Sequence, residues 1–212
     1  MKLYTFYRSS AAYRVRLALN IKRLNCEHIP KAFAKNEHRA PDYLALNPQG
    51  LIPALEHDGA VLSQSLAIIE FLDEKYPDPP LLPADPLARA QIRSISLAIA
   101  CDIHPLNNLR VLNYLRRELQ QSDDRVNAWY RHWITVGFTG LEQQVRAYSG
   151  GARFCHGDTL SIADICLVPQ VYNARRFNTD LTPFPTLVAI STHLESLPAF
   201  AAARPEAQAD AV

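Results

Sequence analysis

Arg8, Ser9 and Ser10 stand between a short apolar run, Leu3-Tyr4-Thr5-Phe6-Tyr7, and a helix-periodic segment that begins at Ala11. A hydroxyl at a helix N-terminus satisfies an open backbone N–H, and the same position can hold an anion. On these residues alone capping is the commoner role. Their setting adds weight to the anion: the seam follows the first strand of a βαβ pattern, at the carboxyl edge of the sheet where ligands bind, and Arg8 and Arg14 flank it. It holds no cysteine, which excludes dithiol chemistry there. Two further places carry chemistry. Ile52-Pro53 opens the third strand and is a candidate cis bond, which would present the Ile52 backbone to an extended peptide; without the fold, an ordinary trans turn is the expectation. Gln64-Ser65 opens the next helix, with N–H groups and a hydroxyl suited to a carboxylate, although Ser63 competes for the cap.

Residues 2–7 read as a strand and 10–22 as an amphipathic helix. Its face is Ala11, Ala12, Val15, Ala18 and Leu19, with Arg14, Arg16, Lys22 and Arg23 mostly outside it. Cys26 to Ile29 is a second strand, parallel to the first, residues 31–39 a loop, and 41–46 a short helix. Asp58-Gly59 between Ala54–His57 and Ala60–Leu62 predicts an antiparallel hairpin. A helix over 65–75 follows, with Leu66, Ile69, Phe71, Leu72 and Tyr76 mostly inward. This βαβ-ββα order is the thioredoxin-like arrangement.

Five prolines within residues 76–86 predict a stiff linker. Beyond it strand signals nearly vanish. A helix begins at Asp85-Pro86, Pro105 is expected to kink or break it, and a helical pattern resumes over 106–119. Further helices cover 126–148, a segment opened by Ser161 with Asp164 in the capping-box position, and 184–197. The expected domains are 1–76, a linker over 77–85, and an all-α domain over 86–212. The tail AAARPEAQADAV, poor in large apolar residues, is expected to fray.

The formal net charge of +1 provides no bulk field for nucleic acid or an anionic membrane, so cation chemistry must be local. Cys26, Cys101, Cys155 and Cys166 have no metal-like spacing and fit spectator thiols in a reducing cytoplasm; no metal site and no membrane span are expected.

Taken together, RSSAAYRVRLAL, NPQGLIPAL, QSLAIIEFLDEKYP, HPLNNLRVL, GDTLSIADICLVPQVYNARRF and DLTPFPTL resemble the zeta class of glutathione transferases over nearly the whole chain, to about residue 200. The resemblance implies a thioredoxin-like domain followed by an all-α domain, glutathione as cofactor, and a homodimer. It implies that Ser9 hydrogen-bonds the glutathione sulfur and favours its thiolate, with Ser10 capping or assisting. Ile52 and Pro53 would face the cysteinyl backbone, and Gln64 and Ser65 the γ-glutamyl end. Arg14, His38, Gln49, His104, Asn108, Leu109 and Arg110 complete the implied contacts around the tripeptide. Where zeta members usually carry Cys and Trp in the seam, this chain has Ala11 and Tyr13, so any role of that cysteine is absent.

The implied reaction is glutathione-dependent cis–trans isomerisation of a short enedione dicarboxylate, maleylpyruvate to fumarylpyruvate, with maleylacetoacetate as the alternative. Arg8, Arg110 and Arg176 are the expected carboxylate clamp, since arginine makes planar two-pronged contacts with carboxylates. Arg175 is expected to point elsewhere. The competing readings are a glutathione conjugase of small electrophiles and a non-enzymatic interaction module.

Overall fold

The computed structural model describes residues 1–211. Its contacts divide into two compact units: Met1–Leu81 together with the chain from Glu195 onward, and Leu82–Leu194. The sequence expectation assigned everything from 86 to 212 to one helical domain. The difference arises because the tail binds the first unit rather than fraying.

In the first unit four strands, β1 (Lys2–Thr5), β2 (Glu27–Pro30), β3 (Ala54–His57) and β4 (Ala60–Ser63), form one sheet in the order β2-β1-β3-β4. β1 runs parallel to β2 and antiparallel to β3, with Tyr4 opposite Ala54, and β3 and β4 form the expected hairpin. The helices are α1 (Ser10–Ile21), the short α2 (Pro41–Leu46) and α3 (Ser65–Lys75). α1 packs on α3. The expected loop over 31–39 contains two single 3₁₀ turns, 33–35 and 37–39.

Three basic residues expected on the outer face of α1 are buried instead: Arg14 and Arg16 are each 1% exposed and Lys22 5%. Each head group meets polar partners inside. Lys22 Nζ pairs with Asp73 at 2.8 Å and donates to the Tyr76 and Pro79 carbonyls, which fastens the start of the proline-rich segment. Burial of such groups is tolerated only when they are bonded in this way. On α3 the buried positions are Ser65, Ile68, Ile69 and Leu72, whereas Leu66 and Phe71 are only partly covered. The chain from 195 onward adds α9 (Pro198–Ala203), which packs on α1.

The second unit is helical among its described residues. α4 (Pro86–Leu97) begins at the Asp85 cap and widens into a π turn over Ala98–Ile103; after Pro105 a single 3₁₀ turn leads into α5 (Leu109–Arg117). α6 (Asp123–Ser149) starts at the Ser122 cap and stops at Gly150, whose φ of 59° is the left-handed conformation that ends helices. α7 (Ile162–Arg176) is the buried central helix. Its capping box forms as the spacing predicts: Asp164 accepts from the Ser161 N–H and hydroxyl and from the Cys155 N–H. α8 (Pro185–Glu195) ends earlier than expected, before Pro198.

Candidate functional site

β1 leads into α1 through a tight turn in which the Ser9 N–H donates to the Phe6 carbonyl at 2.9 Å. Ser9 is the N-cap of α1, and its Oγ accepts from the Ala12 N–H at 3.2 Å. The capping and anion-holding readings are therefore compatible. Capping uses a lone pair of the hydroxyl and leaves its proton to donate elsewhere. The first turn of α1 contains no acidic residue, so nothing there competes with a bound anion for the positive end of the helix. Ser9 is half-buried, whereas Ser10 is buried within the helix. Arg8 is exposed, with its guanidinium carbon 5.0 Å from the Tyr7 ring centroid and 5.9 Å from that of Phe6.

The second group of candidates surrounds the start of α3. Ile52-Pro53 is cis, as expected, and both residues are buried. Gln64, not Ser63, is the N-cap, held at φ 70°, ψ 116°. A non-glycine residue in that region is strained by about 1–3 kcal/mol and persists only where its surroundings enforce it. Ser65 is buried, and its hydroxyl accepts from Arg14 Nη1 at 3.3 Å, so a fixed positive charge reaches the α3 N-terminus from α1. Gln64 Nε2 donates to Gln49 Oε1 at 3.4 Å.

Arg39, which the sequence reading passed over, donates to the Gln49 carbonyl at 3.3 Å. The glycine after Gln49 supplies a signal for it. A Cβ on Gly50, at φ 59°, would stand 2.9 Å from both Arg39 Nη1 and the His38 carbonyl, so only glycine admits the 38–39 segment so closely. His38 rests edge-on against Phe33 at 4.5 Å between centroids. Burial, and then the charge of Arg39, lower its pKa and favour the neutral ring. Its Nδ1 is buried and makes no hydrogen bond. Ser9, His38, Gln49, Gln64 and Ser65 thus all belong to the first unit, at the N-termini of α1 and α3 and on the segment between β2 and β3.

The remaining candidates belong to the second unit. His104 ends the π turn, and Asn108 caps α5, its Oδ1 accepting from the Arg110 N–H at 3.1 Å. Leu109 and Arg110 are exposed. Asn107 Nδ2 donates to the Tyr130 carbonyl and Trp129 Nε1 to the Leu106 carbonyl, which tie this segment to α6. Arg176 is the last residue of α7, where the helix dipole favours a cation. Its guanidinium carbon lies 4.6 Å from the Phe177 ring centroid, and Phe177 stacks on Tyr130 at 3.5 Å. Burial pushes the Tyr130 phenol up to about 12, against the opposing charge and hydrogen bond of Arg176. Arg175 turns away and bonds Thr192, as expected.

Among the described residues no cluster of His, Cys, Asp or Glu could hold a metal ion, and no helix is long and apolar enough to cross a membrane.

Residues 3–80 match the family model for the glutathione S-transferase N-terminal domain. A probable maleylacetoacetate isomerase from Vibrio cholerae is 51% identical over 213 residues, 99% of this chain and 97% of that protein. A maleylpyruvate isomerase from a Ralstonia species is 45% identical, with 99% of each chain covered. The chain belongs to the zeta-class glutathione transferases. Solved structures of the class agree with the fold throughout. The holo structure of a bacterial maleylpyruvate isomerase of the zeta class superposes with a TM-score of 0.98 at 45% identity, covering all of both chains. A maleylacetoacetate isomerase from Methylobacterium extorquens AM1, with malonate and glutathione bound, superposes at 0.96 and 39% identity, again over all of both chains. The zeta-class resemblance of the sequence motifs thus holds for the whole chain.

Proposed function

We propose that this zeta-class protein is a glutathione-dependent cis–trans isomerase of short enedione dicarboxylates, with maleylpyruvate as substrate. The observation that carries the reading is the start of α1. Ser9 caps the helix with its oxygen and keeps its proton available, on a first turn without acidic residues. A hydroxyl donor and a helix N-terminus both stabilise a thiolate, which lowers a thiol pKa from about 8.5. Glutathione, when bound, supplies the thiolate that adds to the cis alkene, permits rotation of the bond and departs unchanged.

The residues of this chain then have separate tasks. Ser9 donates to the sulfur. Gln64, Ser65 and the α3 N-terminus receive the γ-glutamyl carboxylate, with Arg14 adding charge through Ser65. Ile52 offers its backbone to the cysteinyl unit, and His38 and Gln49 hold the peptide. The resemblance adds Ser10, Pro53, His104, Asn108 and Leu109 to these contacts. Arg8, Arg110 and Arg176 supply cations for the substrate carboxylates and for charge that develops during turnover, where preorganised donors contribute most. No protein base is required.

The Vibrio relative favours a second substrate, maleylacetoacetate, which has the same enedione core and terminal carboxylates. The protein is also proposed to be a cytoplasmic homodimer, in keeping with its class. A proton NMR time course with each diacid, with and without catalytic glutathione, tests the function. Conversion to the trans isomer only in the presence of glutathione, with glutathione intact at the end, is the expected result. A stable glutathione adduct would instead indicate a conjugase, and no reaction with either diacid would overturn the proposal.

A further inference from the structure

The turn that carries Ser9 is held from outside as well as within. The Tyr7 N–H donates to Asp210 Oδ2 at 2.9 Å, and the Tyr7 carbonyl accepts from Arg16 Nη2 at 2.9 Å. Arg16 Nη1 reaches Thr5 Oγ1 at 3.2 Å and the Phe6 carbonyl at 3.4 Å, the same carbonyl that accepts from the Ser9 N–H. Arg16 Nε donates to the Ala203 carbonyl at 3.2 Å, so the same guanidinium also grips the tail. Both faces of the peptide pair two residues before Ser9 are thus fixed by groups with no place in the glutathione donor set.

We propose that Asp210 is a positioning residue: with Arg16, it makes the chain after Glu195 a strap that sets the β1–α1 turn and so aims the Ser9 hydroxyl. The proposal rests on the Ser9 reading above. The physical case has three parts. First, the bond to Asp210 is charge-assisted, and such bonds are roughly twice as strong as neutral ones. Second, the Arg16 guanidinium, 1% exposed, donates both to the Tyr7 carbonyl of the turn and to the Ala203 carbonyl of the tail, so one buried cation joins the two. Third, hydrogen-bond donors act on a reacting atom only when their geometry is held within a fraction of an ångström, and the residues that hold them carry part of the effect.

The test compares Asp210→Ala, Asp210→Asn, which retains a carbonyl acceptor, and Ser9→Ala. The measurements are amide hydrogen exchange at Tyr7 and Ser9 by NMR, and the thiol pKa of bound glutathione by ultraviolet absorbance of the thiolate. Asp210→Ala is expected to speed exchange at Tyr7 about tenfold, the scale of one lost charge-assisted bond, and to raise the thiol pKa toward its free value. Asp210→Asn is expected to recover most of both. A chain ended after Ala209 should match Asp210→Ala. If Asp210→Ala leaves exchange and thiol pKa at their original values while Ser9→Ala raises the pKa, the strap is overturned and the Ser9 reading stands. If Ser9→Ala leaves the pKa unchanged, the donor reading fails, and with it the claim that the strap aims a donor.

Discussion

Arg14 Nη1 and Ser65 Oγ meet at 3.3 Å inside the first unit, joining the middle of α1 to the N-terminus of α3. Both residues are buried. A cation at that end of α3 opposes its own helix dipole, so the arrangement favours an anion beside it. Replacement by methionine fills much of the volume of the arginine stem while removing the charge and the donor. Arg14→Met leaves the buried Ser65 hydroxyl without this donor, so it should lower thermal stability and also weaken glutathione binding about ten- to a hundredfold, the range of a lost charge-assisted bond. Isothermal titration beside a melting curve separates the two effects. Unchanged glutathione affinity would remove Arg14 from the site.

Ser9 serves as cap and as proposed donor, and two substitutions distinguish the roles. Glycine is a tolerated N-cap, so Ser9→Gly should cost only a few tenths of a kcal/mol, whereas Ser9→Ala should cost about 1 kcal/mol. Both lose the hydroxyl proton and should slow turnover by roughly a hundredfold, the lower range for loss of one preorganised donor. Turnover that follows stability instead, with glycine nearly normal and alanine impaired, would make Ser9 a cap and nothing more.

His38 provides a pH dependence of defined sign. Burial and Arg39 lower its pKa in the folded protein below the ordinary 6.5. On acidification the unfolded chain takes up this proton first. The unfolded state then binds more protons, and stability falls as pH falls. The contribution is present above 6.5 and is lost as pH drops through the lower folded value. His38→Gln should flatten the stability profile on the acid side of 6.5 and leave it unchanged above. Urea titrations across that interval would show it, and identical slopes for both proteins would contradict it.

What the sequence disclosed follows from the range of the forces involved. The strands, the Asp58-Gly59 hairpin, the Asp85 and Ser161 caps and the cis Ile52-Pro53 were legible because each rests on neighbours within a few residues or on fold analogy. Arg14, Arg16 and Lys22 were misplaced because a basic residue at a helical position reads as solvent-facing until its distant partners are known. Arg16 and Ala203 lie 187 residues apart, and Tyr7 and Asp210 lie 203 apart. The tail was misread for the same reason: Ala203 and Pro205 are buried and Asp210 reaches the Tyr7 N–H, but the partners of these small residues lie far away in sequence. Arg39 sits in a segment without periodicity, and only its closeness to Gly50 marks it. The candidates of the second unit, Arg110 and Arg176, rest on motif alone; their exposure is that of ordinary surface charges.

Two glycines in α6, three residues apart, should respond oppositely to the same substitution. A Cβ on Gly137 would overlap Cδ1 and Cγ1 of Ile103, a buried residue of the π turn, whereas a Cβ on Gly140 would meet nothing within 4 Å. Glycine costs a helix interior about 1 kcal/mol relative to alanine. Gly140→Ala should therefore gain up to that amount. Gly137→Ala gains the same propensity but must displace Ile103 from a packed position, and overpacking costs typically 1–3 kcal/mol. Its net effect should be a loss. Thermal melts of the two variants read the sign directly. A stabilised Gly137→Ala would mean that Ile103 has room to move, and that the π turn is not held in place by its contact with a bare helix backbone.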